Sequence, residues 1–66
     1  MKLKLNGTDR ELESVRTAAD LLAALDIVRE RVAIMVNETV VRRADLDATE
    51  LHDGDVVEVI TMVGGG

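Results

Sequence analysis

Sixty-six residues make one domain and no more, and a chain with no cysteine can be stapled by neither a disulfide nor a thiolate metal site. Thirteen acidic against eight basic side chains leave a net charge of −5, which argues against nucleic acid and anionic membranes as partners and suits docking to basic protein surfaces. Phe, Tyr and Trp are absent, so the core must come from Leu, Val, Ile, Ala and Met, with no ring to stack on a base or a sugar.

Met1-Lys2-Leu3-Lys4-Leu5 alternates apolar and charged residues, the pattern of a strand with one wet face. Asn6-Gly7 is the strongest two-residue hairpin signal. It predicts Leu5 opposite Thr8, Leu3 opposite Arg10 and Met1 opposite Leu12. The second strand, Thr8 to Glu13, is mostly polar and reads as an edge guarded by its charges. Thr17-Ala18-Ala19-Asp20 fits a helix start, with the Thr17 hydroxyl capping a free N–H and Asp20 reaching back. Ala18, Leu21, Leu22, Leu25 and Val28 fall on one helical stripe, and Asp26 is a plausible left-handed stop. Arg29-Glu30-Arg31 reads as a solvated loop.

Val32 to Val36 is a third strand, with Val32, Ile34 and Val36 on one face and Ala33 and Met35 on the other. Asn37-Glu38 is a weaker turn, and Val40-Val41 a short fourth strand. Arg42 to Thr49 is charged and irregular, anchored by Leu46, and Leu51 seals the approach to the Asp53-Gly54 turn. Val56 to Val63 is a run of β-formers that leads directly into Gly64-Gly65-Gly66. No apolar run approaches the ~20 residues of a membrane span, and no signal peptide is visible; a cytoplasmic location is expected.

The order β-β-α-β-β-β, with one helix to cover one face, implies a two-layer α+β domain. The simplest sheet sets the last strand parallel beside the first, with the helix crossing over. That is the β-grasp (ubiquitin-like) arrangement, a mixed sheet of four to five strands on one main helix. Residues 1–63 form the β-grasp domain and 64–66 a flexible glycine tail, whose only chemistry is backbone and one terminal carboxylate.

Several stretches together carry a family resemblance. They are Leu5-Asn6-Gly7, Thr17 with Leu21-Leu22, Val32-Ala33-Ile34-Met35-Val36-Asn37, and Val40-Val41 with Arg43. Leu51-His52-Asp53-Gly54-Asp55, Val57-Glu58-Val59 and the final Val63-Gly64-Gly65-Gly66 complete them. In this order and at this length the chain resembles the small sulfur carriers of thiamin biosynthesis, the ThiS type. Relatives often carry an aromatic side chain near Met62 and a Trp near Leu46; this chain has neither.

The resemblance implies that an E1-like enzyme, using ATP and magnesium, adenylates the Gly66 carboxylate. A sulfur donor system such as a cysteine desulfurase then converts it to a thiocarboxylate, which gives its sulfur to thiazole synthase. Gly64, Gly65 and Gly66 would thread the partner's active site, and the chain would be a carrier, with no cofactor and no catalytic residue of its own. The alternatives are the small subunit of molybdopterin synthase, another thiocarboxylate carrier, or a ubiquitin-like protein modifier.

Met35, Ile60 and Met62 share the parity opposite to Ile34, Val57 and Val59. They are therefore candidates for an exposed docking patch, in which methionine offers adaptable contact. Surface hydrophobicity is common and needs no function. Arg42 and Arg43 read first as solvated charges, with Arg43 kept as a candidate for orienting a partner. His52 is a lone histidine beside a turn, with no second His or Cys to build a metal site.

Overall fold

The computed structural model describes residues 1–61. In chain order it contains β1 (Lys2–Leu5), β2 (Thr8–Glu11), α1 (Ala18–Ala24), β3 (Val32–Val36), β4 (Thr39–Val41) and β5 (Val56–Thr61), with 3-10 turns at Arg29–Arg31 and Arg43–Asp45. The five strands form one sheet in the order β2-β1-β5-β3-β4. β5 runs parallel to β1 and antiparallel to β3. This is the β-grasp topology, with five strands and one α-helix.

Both hairpins turn on two residues with positive φ. Asn6 and Gly7 stand at 49° and 82°, and Asn37 and Glu38 at 50° and 70°. Two consecutive left-handed residues match the twist of the flanking strands. The first turn fixes the register as expected, with Leu5 opposite Thr8 and Leu3 opposite Arg10. The Leu12 N–H then donates to the Met1 carbonyl at 2.8 Å. β2 stops at Glu11, short of the expected Glu13. The chain bends away through Ser14 at φ 62° and buries Val15.

The helix begins with a reciprocal cap. The Asp20 N–H donates to Thr17 Oγ1 at 3.1 Å, and the Thr17 N–H donates to Asp20 Oδ2 at 3.1 Å. The Arg16 N–H shares that carboxylate oxygen. Two further first-turn donors go to the long connection after β4: Ala18 N–H to the Thr49 carbonyl at 2.9 Å and Ala19 N–H to the Leu46 carbonyl at 3.1 Å. The helix ends in a Schellman motif. Asp26 sits at φ 59°, and the Ile27 N–H donates to the Leu22 carbonyl at 2.9 Å.

Because the helix closes there, Val28 lies beyond its stripe and is 55 % exposed, a correction to the expected core face. The expected loop at Arg29–Arg31 is a 3-10 turn, and Arg43–Asp45 is another; single turns of this kind are frequent connectors.

Leu3, Leu5, Ala18, Leu21, Leu22, Ile34, Leu46, Leu51 and Val57 join Val15 in one buried cluster between helix and sheet. The alternation of β1, β3 and β5 decides this: Leu3, Leu5, Ile34 and Val57 point to the helix, while Lys2, Lys4 and Glu58 on the other parity are exposed.

Candidate functional site

The sheet geometry puts one strand at the centre of attention. β5 lies in the middle of the sheet and is paired on both sides. The β1 ladder covers its start, with Lys4 opposite Val56 and Leu5 opposite Val57. The β3 ladder runs from Val36 opposite Val57 to Val32 opposite Thr61. Met62, Gly64, Gly65 and Gly66 lie outside the described residues.

Two turn asparagines reinforce β5. The Val56 N–H donates to Asn37 Oδ1 at 2.9 Å, and the Val59 N–H donates to Asn6 Oδ1 at 2.8 Å. Asn37 also donates from Nδ2 to Asp55 Oδ1 at 3.0 Å. The Asp53-Gly54 turn is tied down as well. The Lys2 N–H donates to Asp53 Oδ1 at 2.7 Å, and Gly54, at φ 89°, donates to the Lys2 carbonyl at 2.8 Å.

The face of the sheet away from the helix carries the candidate docking residues. Ile60 is 48 % exposed and stands opposite Ala33, and Met35 stands opposite Glu58. Met35 and Ile60 are thus diagonal neighbours on the same face, within reach of long side chains. The structure adds two residues that sequence reasoning missed: Val40, 63 % exposed and paired with Met35, and Val56, 43 % exposed. Strict alternation from Ile34 and Val57 would have exposed both.

Arg43 is not placed among these side chains by any contact. Its guanidinium donates to the Glu30 carbonyl at 3.4 Å, while Arg29 donates to the Arg43 carbonyl at 3.3 Å and to Asp47 at 3.2 Å. These turns sit at the end of the sheet where Val32 meets Thr61.

Asp20 is held below the ordinary carboxylate range, chiefly by the Arg16 backbone N–H and then by that of Thr17, and it serves the helix cap. His52 is an exposed turn residue whose N–H donates to Asp55 Oδ2 at 2.8 Å. Among the described residues no three His, Asp or Glu side chains converge to hold a metal ion, and no helix is long and apolar enough to cross a membrane.

Known proteins share this architecture. The crystal structure of a thiamine biosynthesis protein (ThiS) from Geobacter metallireducens superposes with a TM-score of 0.84 at 35 % identity, over 100 % of both chains. A sulfur carrier protein ThiS from Thermus thermophilus is 36 % identical over 62 residues, covering 94 % of this chain and 95 % of the relative. A thiazole synthase from Magnetococcus marinus is 38 % identical over 66 residues, all of this chain, which spans only 20 % of that relative's length. The sequence matches the ThiS family from residue 3 to residue 66. With fold and family match in agreement, this chain belongs to the ThiS family.

Proposed function

We propose that the protein is a sulfur carrier of thiamin biosynthesis whose Gly66 carboxylate is the working group. An E1-like enzyme joins that carboxylate to AMP from ATP, with magnesium, and releases pyrophosphate. A sulfur donor system such as a cysteine desulfurase then supplies a persulfide whose terminal sulfur displaces AMP, and a thiol reductant cleaves the resulting acyl disulfide, leaving the thiocarboxylate on Gly66 and a disulfide on the donor side. Thiazole synthase takes the sulfur. The chain itself is substrate and carrier.

Elementary chemistry favours each step. A free carboxylate is a poor acyl donor, and AMP supplies the leaving group it lacks. A thiocarboxylate gives a nucleophilic sulfur to a chain that has no cysteine. Gly64, Gly65 and Gly66 carry no Cβ, so their backbone can pass close to a nucleotide in a narrow channel. The outer face bearing Met35, Val40, Val56 and Ile60 is the docking surface. Arg43, at the end of the sheet from which β5 leaves, orients the partner.

The observation that carries this reading is that the family match runs through residue 66 and so takes in the glycines. The full-length match to part of a thiazole synthase supports that enzyme as the acceptor. The test is reconstitution of thiazole formation from the chain, an E1-like enzyme, ATP, a sulfur donor and thiazole synthase. The intact chain is expected to support it, and a chain ending at Gly65 is not. Sulfur passing instead to the large subunit of molybdopterin synthase, with none to thiazole synthase, would overturn the pathway assignment.

A further inference from the structure

We infer that Asn6 is a positioning residue for the carrier tail, acting through β5; the inference rests on the carrier reading above. β1 supports β5 only as far as Leu5 opposite Val57, because the chain then reverses at Asn6-Gly7 into β2. Backbone contacts to β1 alternate along β5. The Lys4 N–H donates to the Asp55 carbonyl at 3.0 Å and the Asn6 N–H to the Val57 carbonyl at 2.9 Å. The next β5 group on that side is the Val59 N–H, and no strand residue remains to receive it. The Asn6 carboxamide takes that place, accepting the bond at 2.8 Å across 53 residues of sequence. One residue thus closes the hairpin with its backbone and extends the neighbouring ladder with its side chain.

The consequence falls on the segment leading to the glycines. Val59, Ile60 and Thr61 are held on one side by Ile34, Ala33 and Val32. On the other side Asn6 is the last bond among the described residues. A strand paired along one edge can swing about that edge, and bonds on both edges remove the freedom. Asn37 offers a matched control. Its Oδ1 accepts from Val56 at the opposite end of β5, far along the strand from the glycines.

Glycine at position 6 keeps the left-handed turn but deletes the acceptor, whereas aspartate keeps both. Initial rates of ATP–pyrophosphate exchange, measured with an E1-like enzyme and varied carrier concentration well below the melting temperature, provide the test. For Asn6→Gly we expect KM for the carrier to rise about five- to tenfold with kcat little changed, the pattern of lost binding geometry. Asn6→Asp should restore the wild-type KM, and Asn37→Gly should lower the melting temperature without moving KM. Amide hydrogen exchange at Val59 should quicken in Asn6→Gly alone. A wild-type KM in Asn6→Gly, or an equal rise in Asn37→Gly, would overturn the positioning role while leaving the carrier reading intact. A wild-type chain that supports no exchange at all would overturn both.

Discussion

Replacing Ile60 with aspartate should separate docking from folding. Ile60 points away from the helix and is 48 % exposed, so the side chain does little for the core. Full burial of an isoleucine side chain is worth about 1.5–3 kcal/mol, and covering the accessible half in a complex would contribute about 1 kcal/mol. A carboxylate left unpaired in that contact adds at least about 1–3 kcal/mol of cost. Together these weaken binding by about 2 kcal/mol or more, roughly 30-fold or more in Kd. The fold loses far less in proportion. Strand preference spans about 1 kcal/mol between residue types, against a total stability of about 3–10 kcal/mol for a domain of this length. Calorimetric titration against an E1-like enzyme and against thiazole synthase reads the first quantity, and thermal melting reads the second. Unchanged affinity for both partners in a folded Ile60→Asp chain would refute the docking surface.

Other substitutions act on the scaffold. Leu21 is fully buried, and Leu21→Ala should cost about 2–5 kcal/mol through lost contacts and a cavity; a melting curve displaced by less than about 4 °C would contradict the core assignment. Thr17→Ala removes the hydroxyl that caps Asp20 N–H and should cost about 1 kcal/mol, read as lost helicity and a lower Tm by circular dichroism. Asp20 has a lowered pKa in the folded chain. Its contribution is therefore fully present above the unfolded carboxylate value, and it is lost as pH falls through the folded one. Asp20→Asn should accordingly flatten the acid limb of the Tm–pH curve below the ordinary carboxylate pKa of 3.8, and an acid limb identical to wild type would contradict the cap's role.

Local chemistry made much of this molecule legible. Asn6-Gly7 specified both the turn and the register of the first hairpin, because a two-residue left-handed turn leaves one pairing. Thr17 with Asp20, and Asp26, marked the ends of the helix for equally local reasons. The position of β5 beside β1 is the simplest sheet that one helix can cover on one face, and the crossover rule permits it. What stayed hidden depended on distant partners. Val15 sits in a connection with no periodicity, and only the packed fold buries it. The carboxamides of Asn6 and Asn37 read as turn chemistry, and their bonds to β5 become visible only once strands far apart in sequence are side by side. Val28 was placed on the helical stripe by its spacing, but the left-handed Asp26 ends the helix before that spacing applies. On the candidate surface, alternation alone marks Met35 and Ile60; Val40 belongs there because its pairing with Met35 sets it on the face opposite to Val41, and that pairing is visible only in the folded sheet.

The central claim is that the Gly66 carboxylate carries the sulfur. Top-down mass spectrometry of the chain after incubation with an E1-like enzyme, ATP, magnesium and a sulfur donor tests it most directly. The account predicts a mass change of one oxygen becoming sulfur, located by fragmentation at Gly66 and absent when ATP is withheld. A chain that is adenylated yet never gains sulfur there, or that gains it at another residue, would contradict it.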